Sequence, residues 1–187
     1  ALGDAGVSGE ISFERGKLSE IVRRRVNLVD LLVLDVMQMF ESDNGHSDIE
    51  AMLNECARPV LLIPGLSRSV ERILLVYDDR AQAHEALFAA AYMAEIWDCP
   101  VVVLAAPDAA PQALNKAAPY LEMHEAPPES IIAGPLTPES VFQTAAEHQC
   151  DLVVVGGYRK GPLSKTAVAA WLRDAPENAG RPLLICP

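Results

Sequence analysis

The sequence is poor in positive charge. Its 187 residues include 15 Lys and Arg against 26 Asp and Glu, which gives a formal net charge of -11 at pH 7. Proteins that bind a nucleic-acid backbone or an anionic lipid surface need clustered Lys and Arg. We therefore expect a protein that binds neither nucleic acid nor membrane.

Long apolar runs and paired cysteines are also lacking. No run reaches the roughly 18–20 apolar residues of a membrane-spanning helix, and the first residues do not resemble a secretion signal. The four cysteines are Cys56, Cys99, Cys150 and Cys186, and none lies in a CxxC spacing. They favour reduced, half-buried thiols in a cytoplasmic protein. Neither they nor the four scattered histidines form a metal-binding motif.

The hydrophobic residues of the sequence are mostly aliphatic, and few are aromatic. Half of the residues are hydrophobic and 5% are aromatic, which excludes a disordered chain. Short continuous apolar runs are typical of strands buried on both faces. Six segments have this character: 30–36, 59–63, 72–77, 100–104, 151–155 and 182–185. Segments 11–15 and 130–133 are weaker strand candidates.

Segments with helical spacing lie between these runs. They are 18–26, 47–56, 81–97, 138–149 and 162–174. From residue 72 onward strands and helices alternate strictly, with one further helix implied between 104 and 130. Strict alternation predicts right-handed βαβ crossovers and an α/β fold with an open, doubly wound sheet.

The sequence contains an internal repeat. DLLVL at 30–34 matches DLVVV at 151–155, and RPVLLI at 58–63 matches RPLLI at 181–185. The second copy is complete over 71–187, whereas the copy in 1–66 has only its later half. An apolar half-sheet leaves backbone groups unpaired. We therefore expect residues outside this sequence, from the same polypeptide or a neighbouring chain, to complete the first copy.

Segment 71–187 resembles a universal stress protein domain. The matching stretches are ILLVYDD, the Ala-rich segment 81–97, PVVVLAAP, CDLVVVGGYRKGPLS and RPLLICP. Residues 1–66 resemble the carboxy-terminal half of a second such domain. The resemblance implies a five-stranded parallel sheet of order 3-2-1-4-5 with helices on both faces. It also implies that strands 59–63 and 182–185 pair antiparallel, within one chain or between two self-associating chains.

The same resemblance implies a nucleotide crevice. In open α/β sheets ligands bind beyond the carboxyl ends of the strands, where the strand order reverses. By its match to ATP-binding members, Asp78 follows the first strand, Ala106 follows the second, and Gly156 begins the phosphate loop. The candidate nucleotide-binding residues are Asp78, Ala106, Gly156, Gly157, Arg159, Lys160, Gly161 and Lys165.

The phosphate motif departs from the family pattern, which is Gly-x-x-Gly, nine residues, then Gly-Ser/Thr. Gly156 matches the first glycine, but Arg159 replaces the second and Ala169-Ala170 replace the last pair. A side chain at 159 crowds the backbone path to an anion, and Ala170 offers no hydroxyl. The basic side chains of this loop either bind an anion directly or simply keep the loop solvated.

These observations favour a non-catalytic regulatory or stress-response protein with a degenerate nucleotide crevice and no catalytic residues. The alternative is a switch that binds ATP, with at most slow hydrolysis. An unrelated α/β enzyme is disfavoured because the sequence has no nucleophile elbow, Walker motif or HExxH. Any ATP binding is expected to be weak.

Overall fold

The computed structural model describes residues 8–36, 45–65, 69–132, 134–158, 162–174 and 181–187. The strands are β1 Leu32–Asp35, β2 Val60–Ile63, β3 Ile73–Val76, β4 Val101–Ala105, β5 Glu129–Ile132, β6 Leu152–Val155 and β7 Leu183–Ile185. The helices are α1 Leu18–Arg25, α2 Gly45–Glu55, α3 Ala81–Trp97, α4 Ala110–Met123, α5 Pro138–Glu147 and α6 Pro162–Asp174. Among the described residues, no helix is both long and apolar enough to cross a membrane.

The strands form one seven-stranded sheet in the order β1-β2-β7-β6-β3-β4-β5. Neighbouring strands run parallel everywhere except between β2 and β7, which are antiparallel. The last five strands in this order are those of 71–187, arranged 3-2-1-4-5 with helices on both faces. The predicted α/β fold is therefore confirmed.

One predicted strand is wrong. Residues 11–15 have no regular secondary structure, and Ile11 and Phe13 are almost fully exposed. Their alternating pattern forms no strand because the segment pairs with no sheet edge and instead lies against α1. There Glu14 forms ion pairs of 2.8 Å with both Arg24 and Arg25. The other weak candidate, 130–133, corresponds to β5, which begins one residue earlier.

The internal repeat reappears in the strand registers. Leu32 pairs with Val60 between β1 and β2, and Val153 pairs with Leu183 between β6 and β7. These are the same positions of the two sequence repeats. Between β2 and β7, Leu61 lies directly opposite its own repeat equivalent, Leu184. A local twofold axis therefore passes through this pair, and each of the two strands has a neighbour on both sides.

The two faces of the sheet are packed by different helices. One face packs against side chains of α1, α2, α5 and α6, and the other packs against α3 and α4. Strands buried on both faces, such as β3 with its sequence ILLV, follow directly from this layering. Over β1 and β2 the second face is more open, since Val33 is exposed and Leu61 is half-buried.

All four cysteines are free thiols, and they are buried rather than half-buried as the sequence led us to expect. Cys56 and Cys99 follow the ends of α2 and α3, Cys150 precedes β6, and Cys186 follows β7. Burial raises the pKa of the Cys150 thiol to about 11 and that of Cys186 to about 12. The thiolate is the reactive form of cysteine, so these groups should be inert in the folded protein.

Thiol labelling checks this inertness. At pH 8 a pKa of about 11 leaves about 100-fold less Cys150 thiolate than the ordinary value of 9.0 would. We expect intact-mass spectrometry to find no rapidly labelled cysteine in the native protein and four labelled cysteines in urea. Fast native labelling of any one thiol would show that its site opens to solvent.

Candidate functional site

The sheet brings three of the predicted nucleotide-binding residues together at the carboxyl ends of its strands. Strand β3 lies between β6 and β4, with Val76 paired to Val155 on one side and to Leu104 on the other. Ala106 and Gly156 come directly after β4 and β6, and Asp78 lies two residues after the end of β3. They therefore surround the point where the strand order reverses, as the topology predicts. Their role in binding a ligand stays a prediction.

The Asp78 carboxylate contacts a neighbouring residue of its own chain. Its Oδ1 accepts a hydrogen bond from the backbone N–H of Arg80 at 3.1 Å, which makes a local turn before α3. Its Oδ2 lies 2.6 Å from the Arg80 guanidinium. A nucleoside that bound this carboxylate would have to displace the guanidinium or share the carboxylate with it.

Asp79 is the centre of a cluster that the sequence analysis missed. Its backbone has φ 60°, a left-handed conformation that Asp tolerates better than most residues. Its Oδ1 accepts a hydrogen bond from the Tyr77 hydroxyl and lies 3.3 Å from His84 Nε2, while its Oδ2 lies 2.8 Å from Lys116 Nζ. The cluster thus connects the end of β3 with α3 and α4.

The electrostatics of this cluster follow from its contacts. The hydrogen bond from Lys116 holds the pKa of Asp79 below its ordinary value, against the opposing effect of burial. Burial, followed by the charge of Asp79, raises the pKa of Tyr77 to about 12. At neutral pH the carboxylate is therefore ionised and the phenol is neutral. Lys116 comes from the next helix, so sequence spacing gave no signal for this contact.

The lowered pKa of Asp79 predicts an acid-sensitive contribution to stability. Because the folded-state pKa lies below the unfolded one, this contribution is present above the unfolded pKa and is lost as the pH falls through the folded pKa. We expect Asp79→Asn, which keeps tolerance for a left-handed backbone, to be less stable than the parent protein at pH 7. The difference should shrink at pH 3.

Urea unfolding of both proteins at pH 7 and pH 3 measures this change. Lys116→Met is the matched variant: it removes the partner rather than the carboxylate and should also destabilise more at pH 7 than at pH 3. An equal loss at both pH values would mean that the Asp79 charge does not stabilise the fold.

The glycine-containing turn after β6 also forms hydrogen bonds within the chain. Gly157 has φ 72°, which an L side chain rarely adopts. Its N–H donates to the Cys186 carbonyl at 3.0 Å, and the Cys186 N–H donates to Val155 at 2.9 Å. This turn therefore ties β6 to the end of β7, and the Gly157 donor is already paired.

The structure describes only some of the remaining predicted residues. The Ala106 carbonyl accepts hydrogen bonds from the N–H groups of Ala109 and Ala110, at 3.1 and 2.8 Å, where α4 begins. Lys165 is exposed in the first turn of α6, and Ala170 is buried on its inner side. Arg159, Lys160 and Gly161 lie outside the described residues. Within the described ranges, no group of His, Cys, Asp and Glu could hold a metal ion.

A row of rings leads away from the Asp79 cluster between α3 and α4. Centroid distances are 6.1 Å for Tyr77–His84, 6.4 Å for His84–Phe88, 5.1 Å for Phe88–Tyr120 and 4.9 Å for Tyr120–His124. The row ends where His124 Nδ1 lies 2.6 Å from Glu95. The sequence did not reveal this row, because α4 was expected only as an unspecified helix between two strands.

Comparison with known proteins identifies the fold. No family model matches the chain, and no curated protein matches it. A universal stress protein from Archaeoglobus fulgidus DSM 4304 matches with a TM-score of 0.76 at 14% identity, over 99% of this chain and 71% of that one. This likeness shows that the chain has the universal stress protein fold, as the sequence resemblance implied.

Two further structures of the same kind match a smaller part of the chain. A universal stress protein family member from Burkholderia pseudomallei matches with a TM-score of 0.49 at 19% identity, over 65% of this chain and 99% of that one. A universal stress protein from Archaeoglobus fulgidus, solved in complex with dAMP, matches with a TM-score of 0.47 at 20% identity, over 55% and 92%.

Proposed function

We propose that this protein with a universal stress protein fold is a non-catalytic regulatory or stress-response protein, whose crevice beyond β3, β4 and β6 binds adenine nucleotides weakly. One observation carries the proposal: the chain itself occupies two of the candidate binding groups of this crevice. Asp78 is paired with Arg80, and the Gly157 N–H is bonded to Cys186.

These contacts within the chain affect both nucleotide binding and catalysis. A bound nucleotide gains less from Asp78 when it must compete with the Arg80 guanidinium, since breaking a charge-assisted hydrogen bond offsets much of what a new one contributes. Asp79 faces three partners of its own chain, including Lys116. Neither carboxylate is then free to act as a general base, which supports a non-catalytic role.

The alternative proposal is a switch that binds ATP through basic side chains. The observation that favours it is Lys165, exposed in the first turn of α6. A helix N-terminus attracts anions through its unpaired N–H groups. A phosphate placed there could use this ammonium group in place of the missing glycine nest.

Calorimetry with ATP and Mg²⁺ distinguishes the two proposals. We expect a dissociation constant of about 100 μM or weaker, with little change in Lys165→Ala. Arg80→Ala should tighten binding because it releases the Asp78 carboxylate. Sub-micromolar binding that Lys165→Ala weakens at least about tenfold would overturn the degenerate-crevice proposal in favour of the switch.

A further inference from the structure

One face of α3 is exposed and apolar. Phe88, Tyr92 and Ile96 follow one another at intervals of four residues, about one helical turn. Their exposed fractions are 49%, 62% and 58%. Single exposed apolar residues are ordinary on protein surfaces, but a contiguous row marks an interaction surface. We refer to these three residues as the α3 stripe.

The stripe extends onto α4. The Phe88 ring packs against Tyr120 at 5.1 Å, and Tyr120 packs against His124 at 4.9 Å. Near the end of α4, Met123 is also exposed. Aromatic residues and methionine are enriched at the centres of protein interfaces. The two helices therefore offer one surface of aromatic and aliphatic side chains.

A second feature lies where α3 and α4 end. Three carboxylates, Glu95, Asp98 and Glu125, line a depression of about 200 Å³ together with His124. The carbonyl ends of both helices add partial negative charge at this place. We call this feature the acidic depression. It borders the part of this surface on α4, because His124 lines the depression and packs against Tyr120.

The cations near the opposite end of α3 are balanced by carboxylates. Arg80 and Lys116 are paired with Asp78 and Asp79, beside the amino end of that helix. The potential along the stripe thus becomes more negative from the amino end of α3 towards its carboxyl end. A partner that covers the whole surface gains most if it carries Lys or Arg at the acidic end.

Charge also argues against a second copy of this chain as the occupant. If two stripes met in antiparallel orientation, the acidic depression of each copy would face the amino end of the other copy's α3, where Arg80 and Lys116 are already paired with carboxylates and Glu85 is exposed. If they met in parallel orientation, the two acidic depressions would coincide. Both arrangements bring together like charges on chains that each carry a net charge of -11.

We propose that the α3 stripe and the acidic depression form a docking surface for a basic amphipathic helix of another protein. The apolar side of that helix covers Phe88, Tyr92 and Ile96, and a Lys or Arg side chain enters the acidic depression. This is the helix-in-groove mode of recognition with an electrostatic anchor at one end. The proposal does not depend on nucleotide binding.

A pair of synthetic peptides of about 18 residues tests the proposal. Both have the same leucine-rich face, and the polar face carries Lys in one and Glu in the other. Isothermal calorimetry measures the binding of each peptide to the protein. We expect the basic peptide to bind with a dissociation constant of about 1–100 μM, at least about tenfold weaker in high salt, and the acidic peptide not to bind.

Matched variants locate the contact. Ile96→Ser and Tyr92→Ser should each weaken the basic peptide at least about fivefold, and Glu125→Lys should weaken it as well. Ile132→Ser is the control, because Ile132 on the edge strand β5 is also 58% exposed and should leave binding unchanged. Equal binding of both peptides, or no binding of either, would overturn the proposal. So would sedimentation showing a dimer that Tyr92→Ser dissociates, since a second copy would then occupy the stripe.

Discussion

Replacing Trp171 by Ala is expected to lower the free energy of unfolding by about 3–5 kcal/mol. The indole is fully buried, among the largest side chains of the core that α6 shares with α1, α2 and α5. Its Nε1–H also donates to the Arg181 carbonyl at 3.0 Å, just before β7 begins. The alanine variant loses both the buried ring and this connection between α6 and the sheet.

The hydrogen bond and the packing can be separated by a second variant. Trp171→Phe keeps most of the apolar volume but removes the donor to Arg181, which should cost about 1–3 kcal/mol. Trp97→Ala is the matched control at an exposed site and should change stability by less than about 1 kcal/mol. Circular dichroism in urea measures all three. If Trp171→Ala were no more costly than Trp97→Ala, the indole would not hold α6 against the sheet.

Arg181 extends this connection further. Its carbonyl receives the indole N–H, and its Nε donates to the Cys150 carbonyl at 2.8 Å. One residue thus joins α6, the segment before β6 and the segment before β7. The repeat had drawn attention to Arg181 only as the equivalent of Arg58, because a motif match shows which positions correspond and not which groups they contact.

The sheet could be predicted from sequence because strands that are buried on both faces have continuous apolar sequences. Strands such as β3, ILLV, and β6, LVVV, have no polar position, and the intervening helices fix them as parallel. The strand predicted at 11–15 is wrong because its sequence pattern alone does not decide whether a strand forms. An alternating pattern indicates a half-buried strand when a sheet edge is available to pair with it, and local sequence carries no information about that edge.

The candidate site was predictable to a smaller extent. The positions of Asp78, Ala106 and Gly156 follow from topology, since the carboxyl ends of parallel strands meet at one edge. Which of their groups are already paired does not follow. The contacts of Lys116 with Asp79 and of Gly157 with Cys186 join different elements of the fold, so they depend on packing that no local pattern encodes.

The pair at the local twofold axis provides a test of how the two halves of the sheet differ. Leu61 and Leu184 are equivalent in the repeat and lie directly opposite each other. Leu184 is fully buried in the core formed with α3 and α4, whereas Leu61 is half-buried and lines an open groove of about 540 Å³. Identical side chains therefore occupy equivalent strand positions in different surroundings.

We expect Leu184→Ala to lower the free energy of unfolding by about 2–5 kcal/mol, because it creates a cavity in a closed core. Leu61→Ala should cost about half of that or less, because it removes apolar area that is partly exposed and leaves no enclosed void. Leu62→Ala is the control on β2: Leu62 is fully buried on the opposite face, so its loss should cost as much as that of Leu184. Urea unfolding gives all three values. An equal cost at Leu61 and Leu184, with Leu62 behaving as expected, would mean that the groove over β2 is filled in the protein in solution.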